Sequence, residues 1–135
     1  MLGEGGWGSV YARVWEGELV AAKLAHAEVP ESSIRKEILV MRFLREHAPH
    51  PNVLRLEAVI SSPQTWLILE YCSGGTLCDV SRDPSFSTTH RLAVLTQVAS
   101  ALATLHGVQV VHRDLKSDNI LLHRQVGLGD PPVAK

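Results

Sequence analysis

Residues 111–122 read VHRDLKSDNILL, a tight cluster of charged and polar side chains with apolar residues on both sides. An isolated charge that leaves water costs several kcal/mol unless it is paired, coordinated or kept at the edge of a site. We therefore interpret the stretch as a loop that leaves one short strand and returns into another at 120–122. Such a loop presents Asp114, Lys116 and Asn119 to a cleft.

The composition of the chain indicates a globular protein. Of its 135 residues, 45% are hydrophobic and 20% are charged, which is sufficient for one domain with a real core. A formal net charge of −1 argues against nucleic acid or an anionic membrane as a partner. Cys72 and Cys78 are too few for a disulfide framework. Because no secretory leader or membrane-spanning apolar run is found, we expect a cytoplasmic protein without a membrane segment.

Residues 3–11 read GEGGWGSVY, which is unusually rich in glycine. Glycine lets backbone N–H groups approach a phosphate without obstruction by a Cβ atom. The residues after Gly8 alternate like a strand, whereas a dinucleotide-binding loop with this glycine spacing runs into a helix. The stretch is therefore either a phosphate-binding hairpin or simply a flexible hairpin turn.

Residues 19–25 read LVAAKLA, an apolar run that contains a single cation, Lys23. The run predicts a buried strand from which Lys23 points at a partner. The alternative is an edge strand from which Lys23 extends into water.

A helix is predicted after the serine pair at 32–33, which would cap it, and it ends near His47. Glu37 lies beside the apolar face of this helix, where a carboxylate needs a cation, and Lys23 is the available one. Glu31 is the competing partner. Its place before the serines makes it instead a charge favoured by the helix dipole.

Two strands are predicted in the middle of the chain, at 53–60 and 65–70. The amino-acid composition changes at the end of the second strand. Residues 69–77 read LEYCSGGTL, where small flexible residues replace an apolar strand. Such a change is what a hinge between two lobes requires, and an ordinary loop is the alternative. His47 and His50 lie close in sequence, but no carboxylate or cysteine stands at ligand spacing, so a structural turn is favoured over a metal site.

A second helix is predicted at 88–107, with a hydroxyl cap and a glycine stop. Its apolar residues cover most of the circumference, so we expect it to be buried nearly all round. The residues that remain are too few to cover it, and we expect the covering material to lie outside the chain. A polar turn at 123–132 then leads into another strand at 133–135.

The opening stretch resembles the catalytic loop of the eukaryotic-type protein kinases, whose pattern H-R-D-L-x-x-x-N is met at 112–119. The glycine pattern of that family, G-x-G-x-x-G-x-V, is met at 3–10, and residues 20–23, VAAK, resemble its V-A-I-K strand. Trp7 departs from the family, which more often has Phe or Tyr at this position.

These motifs stand in kinase order, and the resemblance implies the N-terminal half of a serine/threonine kinase domain. A lysine at position 116 resembles the serine/threonine branch of the family at this point of the loop. The sequences of residues 116–119 and 74–77 resemble those of the tyrosine-kinase-like group. The implied fold is α+β, a protein-kinase-like fold. An antiparallel small-lobe sheet plus one helix is expected in residues 1–72, followed by a truncated helical large lobe in residues 73–135.

The resemblance implies ATP and Mg²⁺ as cofactors and a protein serine or threonine hydroxyl as the phosphate acceptor. Lys23, held by Glu37, would position the phosphates of ATP. Asp114 would accept the proton of the substrate hydroxyl, Lys116 would stabilise the transferred charge, and Asn119 would bind Mg²⁺. The residues implied to contact the nucleotide are Leu2, Gly3, Gly5, Gly8, Val10, Ala21, Lys23, Leu69, Glu70, Cys72 and Leu121.

The chain contains no Asp-Phe-Gly, the motif that supplies the main Mg²⁺ ligand in this family. We therefore expect little or no phosphotransfer by these residues alone, whereas the parent domain would be active. The alternative function is a non-catalytic nucleotide-binding or protein-interaction module. A Lys23→Met substitution separates the two, because it abolishes the function of a catalyst and spares a docking module.

Overall fold

A computed structural model describes residues 1–127 and 131–135 of the chain. These residues form two compact units. The first unit consists of residues 1–47 and 54–71, and the second of residues 48–53 and 72–135.

The first unit is built on a five-stranded antiparallel sheet with the strand order β1-β2-β3-β5-β4. The strands are β1 (Gly3–Gly5), β2 (Gly8–Trp15), β3 (Glu18–Ala25), β4 (Leu56–Ile60) and β5 (Trp66–Glu70), and a single helix, α1 (Glu31–His47), follows β3. The turn between β2 and β3 has positive φ at Glu16 (49°) and at Gly17 (86°), the arrangement that suits the twist of a two-residue hairpin. The predicted antiparallel sheet with one helix is confirmed.

The sheet of the first unit buries apolar residues on both faces. Val20, Ala22 and Ile68 form the core of one face. On the other face, apolar residues of β4 and β5 pack against α1, and this group comprises Leu56, Leu67, Leu69, Ile34, Ile38 and Met41. The strand β3 is central in the sheet. Val20 and Ala22 are buried on one of its faces, and Ala21 packs against the apolar cluster on the other, which is why its sequence reads as an apolar run.

Two local predictions in the first unit are wrong. Helix α1 begins at Glu31, so the serine pair at 32–33 lies inside the first turn and does not cap it. The carbonyl of Pro30 accepts from the N–H groups of Ser33 and Ile34, and the helix therefore starts directly after the proline. The strand predicted from residue 53 begins only at Leu56.

The second unit contains the helices α2 (Leu77–Val80) and α3 (Thr88–Gly107) and a 3₁₀ turn at Ser117–Asn119. Its core comprises Phe86, Val94, Ile120, Leu122 and Ala134. Ser87 caps α3, since its hydroxyl accepts from the N–H of His90 at 3.2 Å. The bounds predicted for this helix are confirmed, but the cap is the serine that precedes Thr88.

The segments around the catalytic-loop stretch are less regular than expected. No strand is described at 108–111, and residues 121 and 122 each form only an isolated bridge, Leu121 with Thr76 and Leu122 with Ala134. The two short strands predicted to frame the loop are therefore wrong. The core position of Ile120 and Leu122 holds the segment instead. Part of the turn predicted at 123–132 lies outside the described residues.

Helix α3 is not buried all round within the part of the chain that the structure describes. Val94, Ala101 and Leu105 are buried, whereas Leu92 is 60% and Leu95 is 56% exposed. None of the helices among the described residues is both long and apolar enough to cross a membrane.

Candidate active site

Lys23 and Glu37 form an ion pair between the central strand and the helix of the first unit. The Lys23 Nζ atom lies 2.7 Å from the Glu37 Oε1 atom, with 20% and 30% of the two side chains exposed. Lys23 is placed on β3 so that its side chain lies on the face that α1 covers. Glu37 is six residues after Glu31, the first residue of that helix. A partly buried pair of this kind stabilises only while both partners are present.

The glycine stretch forms a tight antiparallel hairpin between β1 and β2, in which Gly3 lies opposite Val10 and Gly5 opposite Gly8. A Cβ atom added at Gly8 would collide with the carbonyl oxygen of Leu24, so Gly8 is required by packing. A Cβ atom at Gly3 or Gly5 would meet open space. The protein itself does not need glycine at these two positions, and they leave room for a ligand to approach the backbone.

The hairpin is fastened to the end of β3. The backbone N–H of His26 donates to the carbonyl of Trp7 at 3.2 Å. The Nε2 atom of His26 lies 3.1 Å from the hydroxyl of the buried Ser9 and 3.9 Å from the Glu4 carboxylate. These contacts fix both sides of the turn at residues 6 and 7.

The strand register collects several of the predicted nucleotide-contact residues on one face of the sheet. Val10 lies opposite Lys23, and Ala21 lies opposite Leu69. Directly opposed residues point to the same face. Leu2 precedes β1, is exposed, and donates its N–H to the carbonyl of Val10.

Leu69 and Glu70, at the end of β5, are among the residues that the resemblance implies to contact the nucleotide. The N–H of Glu70 donates to the carbonyl of Arg55 at 3.0 Å, and its carboxylate accepts from the N–H of Arg55 at 2.8 Å. These two contacts link the end of β5 to Arg55, the residue that precedes β4. Cys72 is a partly buried residue of the second unit and forms no disulfide with the other described cysteine, Cys78. Leu121 also lies in the second unit and exchanges backbone hydrogen bonds with Lys135.

The polar cluster of the second unit brings together the residues predicted from the loop motif. The side-chain amide of Asn119 donates to the Asp114 carbonyl at 2.8 Å and to its carboxylate at 2.9 Å. The Lys116 Nζ atom lies 3.2 Å from the same carboxylate. Arg113 has φ of 68°, a left-handed conformation that is uncommon outside glycine. It turns the chain so that residues on either side of it approach one another.

The electrostatics of this cluster favour an ionised carboxylate. Hydrogen bonds from Lys116 and then from Asn119 lower the pKa of Asp114 below its usual range, because both stabilise the charged form. Asp114 is therefore an anion at neutral pH, and its carboxylate can accept a hydrogen bond.

The fit of this cluster to Mg²⁺ is partial. Because the Asn119 amide nitrogen faces Asp114, its Oδ1 oxygen is the end left for another partner, and Mg²⁺ prefers oxygen ligands. Among the described residues there is no group of three His, Cys, Asp or Glu side chains that could hold a metal ion. Asn119 is thus suited to be one ligand of a metal that also needs ligands from elsewhere.

Two contacts were not foreseen from the sequence. The Trp7 ring lies over the ammonium of Lys23, for which the aromatic character of Trp7 was the only signal. The amide of Asn52 donates to the Gln97 side chain at 2.9 Å and to the Ala134 carbonyl at 2.8 Å. No local pattern could have found these partners, because they lie 45 and 82 residues away along the chain.

Comparisons with known proteins identify the family. The family model described as "Protein kinase domain" matches residues 1–133. Human mitogen-activated protein kinase kinase kinase 11 is 35% identical over 140 residues, which cover 96% of this chain and 16% of the relative. Mouse serine/threonine-protein kinase PAK 1 is 36% identical over 126 residues, which cover 90% of this chain and 22% of the relative. A calcium and calcium/calmodulin-dependent serine/threonine-protein kinase of Lilium longiflorum is 42% identical over 106 residues, which cover 76% and 20%.

The chain therefore spans about a fifth or less of the length of the relatives named above. The five-stranded antiparallel sheet with its single helix is the small-lobe arrangement expected from the resemblance. All three named relatives are protein kinases, and two of them are named as serine/threonine-protein kinases. Together these findings show that the chain belongs to the protein kinase domain family.

Proposed function

We propose that the chain is the ATP-binding and catalytic-loop portion of a kinase domain that transfers the γ-phosphate of ATP to serine or threonine hydroxyls of proteins. The observation that carries the proposal is the 2.7 Å contact between Lys23 and Glu37. A cation that a carboxylate holds in place on the nucleotide face of the sheet is preorganised to bind phosphate.

In the first unit, the proposed nucleotide contacts are divided between backbone and side chains. The open positions Gly3 and Gly5 let the hairpin backbone approach the phosphates, and Lys23 neutralises their charge. Val10 and Ala21 offer small apolar surfaces on the same sheet face, suited to an adenine ring. The assignments of Leu2, Gly8, Leu69, Glu70, Cys72 and Leu121 to the nucleotide site are part of this proposal.

In the second unit, Asp114 acts on the substrate hydroxyl. Because it is ionised at neutral pH, its carboxylate orients the hydroxyl and accepts the proton. Lys116 places a positive charge where the transferred phosphoryl group carries negative charge. Asn119 holds Asp114 in place and would supply one oxygen ligand to Mg²⁺, which when bound neutralises phosphate charge.

The domain assignment and the setting of the protein are also proposals. We propose that residues 1–72 are the small lobe and residues 73–135 the start of the large lobe. Cys72 and Cys78, the cysteines of the described residues, form no disulfide, and we propose an intracellular, reducing location. The partners we propose are ATP and a protein substrate, and the near-zero net charge gives no support to a nucleic-acid partner.

Nucleotide binding by the chain tests the first half of the proposal. Isothermal titration with ATP and Mg²⁺ should show binding that Lys23→Met weakens at least tenfold, because the ammonium is the proposed phosphate partner. Lys36→Met is the matched control, since Lys36 is exposed on α1. Equal affinities of the two variants would contradict the proposal and would favour a docking module.

Phosphate transfer tests the second half. We expect little or no transfer by a polypeptide of these 135 residues, because it contains no Asp-Phe-Gly. A chimera in which the chain replaces the matching segment of mitogen-activated protein kinase kinase kinase 11 should phosphorylate a generic serine/threonine substrate. Asp114→Asn in the chimera should reduce transfer by at least two orders of magnitude, within the range of general-base contributions of about 10²–10⁴. Transfer by the polypeptide alone at the rate of the chimera would be the contrary result.

A further inference from the structure

The indole of Trp7 lies over the ammonium of Lys23, with 5.8 Å between the Nζ atom and the ring centroid. A cation within about 6 Å of an aromatic face is attracted by the ring quadrupole, most strongly for tryptophan. The same ammonium donates to Glu37 at 2.7 Å. Lys23 therefore has two partners within the first unit, a carboxylate and a ring.

The position of the Trp7 ring follows from the anchoring of its backbone. The carbonyl of Trp7 accepts from the N–H of His26, and the next residue, Gly8, packs too closely on the Leu24 carbonyl to carry a Cβ atom. The hairpin therefore directs the side chain toward Lys23. The residue is still 49% exposed, so it can move away without opening a buried core.

A phosphate group and the indole need the same space beside Lys23. Of the three ammonium N–H groups, one is directed at Glu37, and a phosphate oxygen must approach one of the others within hydrogen-bond distance. The ring already covers part of that approach. An aromatic face is a weaker partner for an ammonium than a phosphate is, so the ring can be displaced at a cost.

We propose that Trp7 is a positioning residue that competes with the nucleotide phosphates for Lys23. It holds Lys23 in place when no phosphate is bound, and it lowers the affinity for a nucleoside triphosphate without affecting that for the nucleoside. The inference rests on the proposed function, because it takes the phosphates of ATP as the groups that Lys23 binds.

Calorimetric titration of Trp7→Ala with ATP and with adenosine tests the competition. We expect the affinity for ATP to rise about two- to fivefold, the range that corresponds to a partly exposed cation–π contact, and the affinity for adenosine to stay unchanged. Trp7→Phe keeps a ring and should fall between the wild type and Trp7→Ala. Unchanged or weakened ATP binding by Trp7→Ala would overturn the inference, whereas failure of the wild type to bind ATP would overturn the proposed function as well.

Fluorescence tests the contact between Trp7 and Lys23 without any nucleotide. The emission of the wild type minus that of Trp7→Phe isolates Trp7 and leaves the partly buried tryptophans Trp15 and Trp66 in place. We expect Lys23→Met to change this difference spectrum and the exposed control Lys36→Met to leave it as it is. Identical spectra for the two lysine variants would show that the ring is not held by Lys23.

Discussion

Among single residues, Asp114 shows most clearly how neighbours set chemistry. Its side chain is exposed, and burial does little to its titration. The direction of its pKa shift comes instead from the hydrogen bonds that Lys116 and Asn119 donate. The motif places these residues two and five positions after Asp114, close enough for a short loop to join them. Chemistry of this kind is readable from sequence because all of its parts are local.

The titration of Asp114 should respond to removal of the Lys116 ammonium. In Lys116→Ala we expect the pKa of Asp114 to rise toward its usual value, because the largest stabilising contact of the carboxylate is lost. Carbon-detected NMR of the carboxyl group as a function of pH measures this. Arg124→Ala, at another exposed cation of the second unit, is the control. A pKa that does not change in Lys116→Ala would contradict the assignment of the shift.

The Lys23–Glu37 pair should contribute to the stability of the first unit. Replacing Glu37 with Gln removes the charge next to a lysine that is 20% exposed, and we expect a loss of about 1 kcal/mol in the free energy of unfolding. Glu31→Gln is the control, since its 2.6 Å pair with Arg35 is about three-quarters exposed and contributes about 0.5 kcal/mol or less. Urea unfolding compares the two, and equal losses would argue against a special role of the Lys23 contact.

Among the secondary-structure elements, the β1–β2 hairpin carries two different requirements for glycine. Gly8 satisfies packing against β3, while Gly3, Gly5 and Gly6 have open space where a Cβ atom would stand. The sequence pattern alone treats all four alike. The structure separates the glycine that the fold needs from those for which a ligand is the better explanation.

Alanine substitutions should reproduce this separation. We expect Gly8→Ala to lower the free energy of unfolding by about 1–3 kcal/mol, because the new methyl group collides with the Leu24 backbone. Gly6→Ala should change stability by less than about 0.5 kcal/mol, since nothing lies within 4 Å of the added atom. Thermal or urea unfolding of both variants measures these changes in the free energy of unfolding. A Gly8→Ala protein as stable as the wild type would mean that β2 and β3 can move apart.

Across the whole molecule, the order of motifs along the chain predicted the fold, and the contact between Lys23 and Glu37 was expected as well. Long-range contacts account for much of what the sequence did not predict. The Lys23–Glu37 partnership follows from an apolar strand and an amphipathic helix, each visible in a short window of sequence. The links made by Asn52 join distant segments and leave no periodic signal. The prediction of two short strands around the catalytic loop was wrong for a related reason. Packing of Ile120 and Leu122 into the core holds this segment in place of a ladder of hydrogen bonds between strands.

Asn52 should be the polar residue on which the second unit depends most. Asn52→Ala removes hydrogen bonds to Gln97 and to the Ala134 carbonyl, and we expect a loss of about 1–3 kcal/mol because a partly buried acceptor is left unsatisfied. Amide hydrogen exchange at α3 should accelerate. Gln64→Ala, an exposed turn position in the first unit, is the control. Unchanged exchange at α3 would show that other contacts hold residues 48–53.

The assignment of residues 48–53 to the second unit affects how the gene can be divided. The polypeptide passes from one unit to the other after residues 47, 53 and 71, so neither unit is encoded by a continuous stretch. A split at residue 72, where the motifs place the lobe boundary, would leave the C-terminal half without Asn52. Two-piece complementation should therefore work best when both halves are co-expressed, and separate purification of the C-terminal half should yield an unstable product.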